Sequence, residues 1–316
     1  MSTKITETRF MFILKILSGL LLLLIFAQIS IGAAVRLTGS GLSCPDWPLC
    51  YGLWFPDQDK LSKISDVNFE FYQVMLEWSH RFNAAVLITP LTFVVCFVGL
   101  KVINQKINKI VLWVILLVLA LQGLIGGFTV FDKNSPWSVA AHLGFALIFM
   151  FLVLKIFLVS LKINLIFDIP DFNKKVFILS ITIVSVLLTM LMGAIVSKSG
   201  SSLACDIWPQ CSYDGISIFQ YNKFLHIIHR FLALLSAISV FLVVINYKDI
   251  IKYRIFYISR NILMAIIILQ ILMGAIVIFT DLNLYIAMLH QSLAVILFMV
   301  LSFLYWFTLL INYKKY

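Results

Sequence analysis

Charge is scarce in this chain. Aspartate, glutamate, lysine and arginine make up 12% of 316 residues, against 62% hydrophobic, where an ordinary soluble domain carries about 25% charged residues. A soluble globular protein is excluded, and a polytopic membrane protein is implied. Acidic residues are scarcer still, 14 against 24 lysines and arginines, for a net charge of +10. The basic residues lie scattered at segment ends and form no stripe, so nucleic acid is not the expected partner. Membrane lipid is. Histidine numbers only five and cysteine five, so each occurrence is worth locating.

Eight apolar stretches are long enough to cross about 30 Å of hydrocarbon. They run from Phe10 to Val35, Val74 to Leu100, Ile110 to Phe131, Ser138 to Leu161, Val176 to Val196, Phe224 to Asn246, Ile262 to Thr280, and Tyr285 to Ile311. Stretches of that length are helices and not barrel strands, because in lipid the backbone must satisfy its own hydrogen bonds. Lys4, Arg9, Lys101, Lys106, Lys109, Lys162, Lys174, Lys175, Lys248, Lys252, Arg254, Arg260, Lys314 and Lys315 fall on one side. The positive-inside bias makes that side cytoplasmic, with both termini inside and the chain in the cell inner (plasma) membrane. Lys4 and Arg9 before an apolar core, with Gly32, Ala33 and Ala34 after it, imitate a cleaved signal peptide. The length of the stretch argues against that reading.

An internal repeat organises the whole. Gly32 and Ala33 return as Gly193 and Ala194, and the loop Leu42 to Cys50 returns as Leu203 to Cys211, both at an offset of 161. Leu121, Gln122, Gly126 and His142 return as Leu269, Gln270, Gly274 and His290 at an offset of 148. His80–Arg81 returns as His229–Arg230 at 149. The expected fold is therefore all-α, eight transmembrane helices in two pseudo-symmetric four-helix bundles. Residues 1–165 form one half and 166–316 the other, related by an axis along the membrane normal.

His80, His142, His229 and His290 each fall a turn or two inside the outer mouth of a span, at similar depth. Within a half, two such histidines can face each other across a bundle core and hold a heme iron. A membrane histidine that merely bonds a neighbouring helix is the bland alternative, but four in register favour ligation. Zinc prefers three or four close ligands, and each half offers two histidines with its cysteines in loops. Arg81 and Arg230 stand beside the ligand histidines, where they either meet heme propionates or snorkel to headgroups.

Cys44 with Cys50, and Cys205 with Cys211, lie in outward loops where disulfides persist, and each pair is expected to close a small loop. A redox-active pair that exchanges with a thiol carrier is the sharper alternative. Cys96, inside a span, reads as a small apolar residue. Glu77 stands three residues before His80, on nearly the same face, where His226 stands in the second copy. A carboxylate there is placed to exchange a proton with a substrate or to stabilise positive charge developing on it. The alternative is an idle carboxylate favourable to a helix start.

Together the four-span halves, the four mouth histidines, the Glu77–His80–Arg81 cluster and the Gly39 to Cys50 loop resemble the heme A synthase family, over nearly the whole chain. The resemblance implies a membrane oxidoreductase that oxidises the C8 methyl of heme O to a formyl group, giving heme A for cytochrome c oxidase. It implies that His80 and His142 bracket the heme O substrate and that Glu77 is the essential carboxylate. His229 and His290 would hold a resident heme b. A heme O synthase upstream and a quinol or other electron donor are the implied partners. It also associates the amino-terminal cysteine pair with heme handling. A quinone-coupled membrane cytochrome b, with the same histidine sites and an unaltered porphyrin, and a quinone-coupled thiol-disulfide oxidoreductase, run by the loop cysteines, are the competing readings.

Overall fold

The computed structural model describes residues 2–64, 67–163, 167, 169–211 and 221–312. Among them eight helices are long and apolar enough to cross a membrane. They are α1 (Ser2–Leu37), α2 (Phe71–Val102), α3 (Lys106–Phe131), α4 (Pro136–Ser160), α5 (Phe172–Lys198), α6 (Tyr221–Asn246), α7 (Arg254–Phe279) and α8 (Leu284–Asn312). Most begin earlier than hydropathy alone implies. The seventh is expected from Ile262 and starts at Arg254. The reason is physical: hydropathy marks where lipid begins, while helical hydrogen bonding continues through the polar turns that carry Arg254 and Arg260. The first stretch is a single uninterrupted helix to Leu37.

The chain divides into two compact units, Met1–Ser160 and Leu161–Tyr316. The boundary expected between residues 165 and 166 lies outside the described residues, as do Lys314 and Lys315. In the first unit α1 packs on α2, α2 on α3, α3 on α4, and α4 back on α1. In the second, α5 packs on α6, α6 on α7, α7 on α8, and α8 back on α5. Each unit is thus a closed ring of four helices, and α2 faces α4, as α6 faces α8, across its middle. The tight turns after α3 and α7 are built alike. Lys133 and Asn134 in one, and Asp281 and Leu282 in the other, take positive φ of 48° to 66°, which reverses the chain within a few residues.

Two departures from plain helix matter. Helix α2 is α-helical over Phe71–Phe82, a π turn over Asn83–Ile88, and α-helical again over Thr89–Val102. Between α1 and α2 the connection is a packed cap. A short helix, Gln58–Leu61, and the buried Cys44, Cys50, Leu61 and Val74 carry Tyr51, Ile64, Val67, Phe69 and Trp78 against them. Trp78 Nε1 donates to the Trp54 carbonyl at 2.7 Å, fastening the cap to α2.

Candidate functional site

His80 lies on α2 and His142 on α4, the facing helices of the first ring. Their ring centroids are 6.3 Å apart. His229 and His290 occupy the same two corners of the second ring, on α6 and α8. Each imidazole rests on a glycine of a neighbouring helix. A Cβ added at Gly32 of α1 would stand 3.0 Å from His80 Nε2, and one at Gly126 of α3 would stand 3.1 Å from His142 Cε1. One at Gly193 of α5 would stand 3.0 Å from His229 Cε1, and one at Gly274 of α7 would stand 3.2 Å from His290 Cε1. Any side chain there pushes the ring. Only glycine leaves a seat.

One helical turn before each glycine is a polar residue that touches the same histidine. Gln28 Nε2 donates to the His80 carbonyl at 3.0 Å, and Gln122 Nε2 to the His142 carbonyl at 3.2 Å. The Thr189 carbonyl lies 3.2 Å from His229 Nδ1, and Gln270 Nε2 lies 3.5 Å from His290 Nε2. A polar residue followed four positions later by glycine is therefore the local code for a histidine seat. The repeat exposes Gln122 with Gly126, and Gln270 with Gly274, but nothing in sequence alone says what a matched glycine packs against.

The residues fit a porphyrin iron. Metal–imidazole bonds of about 2 Å on both sides, plus the half-widths of two rings, need centroids roughly 6 Å apart, and the first pair has that separation. A ligating imidazole gives one nitrogen to the metal and needs an acceptor for the proton on the other. For His229 the Thr189 carbonyl is that acceptor. His142 Nδ1, Gln122 Oε1, His290 Nδ1 and Gln270 Oε1 are all buried and without a partner. In the seats of His142 and His290 an unpaired acceptor thus accompanies an unpaired ring nitrogen. Among the described residues no group of three or more His, Cys, Asp or Glu is placed to hold a bare metal ion.

Above the first pair the loop is built around Glu77. Its carboxylate is buried and accepts from Cys44 N at 2.9 Å, Ser43 Oγ at 3.1 Å and Arg81 at 2.6 Å. Arg81 also donates to the carbonyls of Asp46, Leu49 and Cys44. Arg230 repeats the clamp on the carbonyls of Ile207, Pro209, Gln210 and Cys205. Both arginines, read from sequence as meeting either propionates or headgroups, donate to carbonyls of the disulfide loops. Cys44–Cys50 and Cys205–Cys211 are the bridges that close those loops, and Cys96 is a buried free thiol. Asp46 binds the Tyr51 and Gly52 amides at 2.6 and 2.8 Å. Burial, then the negative fields of Glu77 and Asp46, hold the Tyr51 phenol above its ordinary pKa, so it stays neutral in this acidic corner.

At the position of Glu77 the second unit has no carboxylate. His226 takes the place of Glu77, buried, with Nδ1 unpartnered. Ser43, which bonds Glu77, is matched by Ala204. Loss of the carboxylate and loss of its hydroxyl donor go together. Ser43, Gln28 and Asn83 are site residues that sequence reading misses, because each works through a contact distant in sequence.

Comparison with known proteins adds the following. Residues 15–302 match the family described as cytochrome oxidase assembly protein. The chain is similar to the heme A synthase of Geobacillus kaustophilus (strain HTA426), 30% identical over 281 residues, covering 86% of this chain and 84% of that protein. It is 32% identical over 282 residues to the heme A synthase of Geobacillus thermodenitrificans, with the same 86% and 84% coverage. It is 29% identical over 314 residues to that of Bacillus pumilus (strain SAFR-032), covering 96% of this chain and 97% of the relative.

Proposed function

The chain belongs to the cytochrome oxidase assembly protein family, and from that premise we propose a heme A synthase with one substrate unit and one electron-transfer unit. It is a multi-pass membrane oxidoreductase that converts heme O into heme A, by oxidation of the C8 methyl to a formyl group. The cytochrome b and thiol-oxidoreductase readings gain no comparable support.

In this reading His80 and His142 hold the iron of heme O, and Glu77 is the carboxylate that serves the oxidation. His229 and His290 hold a resident heme b, which supplies electron transfer when bound. The asymmetry at Glu77 and His226 carries the assignment: two seats of one design differ where a carboxylate either stands over the pair or does not. Ser43, Cys44 N and Arg81 fix that carboxylate before substrate arrives, so little reorganisation is left for the reaction. Arg81 and Arg230 hold the loops and place positive charge at the mouth, where propionates would be favoured. The loops with the cysteines face outward and both termini face the cytoplasm, as the lysine and arginine bias indicates. A heme O synthase supplies the substrate and a quinol or other donor supplies electrons.

Pigment extraction from cells making the parent protein or Glu77→Gln is the test. Glutamine keeps the shape and an acceptor oxygen but removes the charge. The expected result is heme A from the parent and none from the variant, with bound heme retained in both. Equal heme A from both would remove Glu77 from the reaction.

A further inference from the structure

The repeat contains a slip of one residue, and its place is fixed by packing. His80, Arg81 and Phe82 correspond to His229, Arg230 and Phe231 at an offset of 149, and the buried Glu77 to the buried His226. Farther along the same helix the offset is 148. Buried Ile88, Thr92, Val95 and Cys96 correspond to buried Ser236, Val240, Val243 and Val244. Lipid-facing Phe93 and Phe97 correspond there to exposed Phe241 and Ile245. The extra residue of α2 therefore falls between Phe82 and Ile88. That is the π turn Asn83–Ile88, while α6 runs as unbroken α-helix over Tyr221–Asn246. A π turn accommodates one inserted residue without rotating the helix on either side, so both faces of α2 stay in register and the distortion is confined to the turn beneath His80.

The insertion brings its own wiring. Asn83, buried, donates from Nδ2 to Gln28 Oε1 at 2.8 Å, and Gln28 Nε2 donates to the His80 carbonyl at 3.0 Å. At the position of Gln28 the second unit has Thr189, whose carbonyl meets the His229 ring and whose hydroxyl bonds Ser236 at 2.7 Å. His229 is thus held by its imidazole in a regular helix. His80 is held by its backbone beside an irregular turn, and no hydrogen bond to its imidazole forms among the described residues.

We propose that the π turn with its Asn83–Gln28 pair is a positioning device that makes His80 the exchangeable ligand of the four, so that the porphyrin of the amino-terminal unit is released while that of the carboxy-terminal unit is retained. This rests on the bis-histidine reading above. An enzyme whose substrate and product are both iron porphyrins must break an iron–imidazole bond at every turnover. A regular helix with an anchored ring opposes that. A widened turn, where the backbone carbonyl and not the ring is held, permits it. Only Fe–N bonds break and re-form, and no electrons move in the step.

The test is heme transfer from the purified full-length protein, loaded with heme O, to excess apomyoglobin. The parent should show a fast and a slow phase, the fast one absent from His142→Ala. Deleting Asn83 should slow the fast phase at least tenfold. Inserting one alanine between Phe231 and Leu232 should speed the slow phase at least tenfold. Asn83→Ala keeps the chain length and serves if the deletion does not fold, and it should change the fast phase at least threefold. Phases within twofold of the parent in the variants that fold would overturn the proposal. If His80→Ala instead leaves the amino-terminal heme spectrum and both phases untouched, it is the bis-histidine reading that fails.

Discussion

The two units close the same ring of helices, seat their histidines on corresponding glycines and clamp their disulfide loops with a corresponding arginine, yet they differ about one helical turn to either side of the first histidine. In one, a buried carboxylate is held by Ser43, Cys44 and Arg81, and the helix carrying the first histidine is broken by a π turn. In the other, a histidine replaces the carboxylate and the helix is continuous. The ring packing and the glycine seats are shared by both units. The carboxylate and the irregular turn belong to the first alone, and on the proposed assignment they are what a porphyrin that reacts and leaves needs beyond a seat.

The comparison breaks most sharply at the ligands. His229→Ala or His290→Ala should abolish the low-spin heme spectrum of the carboxy-terminal unit, whereas His80→Ala or His142→Ala should leave it in place. Visible spectra of the purified variants check this, and a resident spectrum that survives loss of His290 would show that the second seat is misassigned.

Next in size is the carboxylate. Removing a general acid or base costs about 10² to 10⁴ in rate, so Glu77→Gln should lower heme A formation at least ~100-fold. The reciprocal His226→Glu should change it little, because Ala204 offers no hydroxyl there and the proposed assignment puts the substrate in the other unit. Heme A yield in a membrane assay separates the two.

The seats themselves come third. A Cβ at Gly126 or Gly274 stands 3.1 or 3.2 Å from a ring carbon, and overpacking of this kind costs about 1–3 kcal/mol. Gly274→Ala should weaken resident heme binding by about tenfold or more and leave the substrate unit alone, and Gly126→Ala should do the reverse. Heme titration of each variant is the measurement, and equal effects of both on both units would deny that the seats are separate.

The smallest expected effect sharpens the loops. Cys44 donates its amide to Glu77 and its carbonyl binds Arg81, so Cys44→Ser with Cys50→Ser should lower heme A yield several-fold. Cys205→Ser with Cys211→Ser, where His226 stands in place of Glu77, should leave the resident spectrum unchanged. Abolition of thiol transfer with heme A yield unaffected would instead support disulfide exchange as the task of the first pair.

Much of the fold and part of the site are legible in the sequence, because long apolar runs and a repeat are local or periodic signals. Eight spans, four histidines in register and the Glu77/His226 mismatch all come from reading along the chain. The loop pairs Cys44–Cys50 and Cys205–Cys211 do too, since a short separation leaves few partners. What could not be read depends on contacts between distant segments. Gln28 bonds the residue of His80 across 52 positions and Ser43 reaches Glu77 across 34. Arg81 and Arg230 show in sequence as charges beside a histidine, while the loop carbonyls that accept from them lie at least 20 positions away and do not show. The π turn left a trace, in offsets of 149 and 148, but without burial along α2 and α6 that slip has no address.

The most direct measurement is the identity of the porphyrins extracted from purified His142→Ala and His290→Ala proteins. The first should keep heme b and lack hemes O and A, and the second should lose heme b and still bind heme O. Loss of the same porphyrin from both variants, or of none from either, would contradict this division between the units.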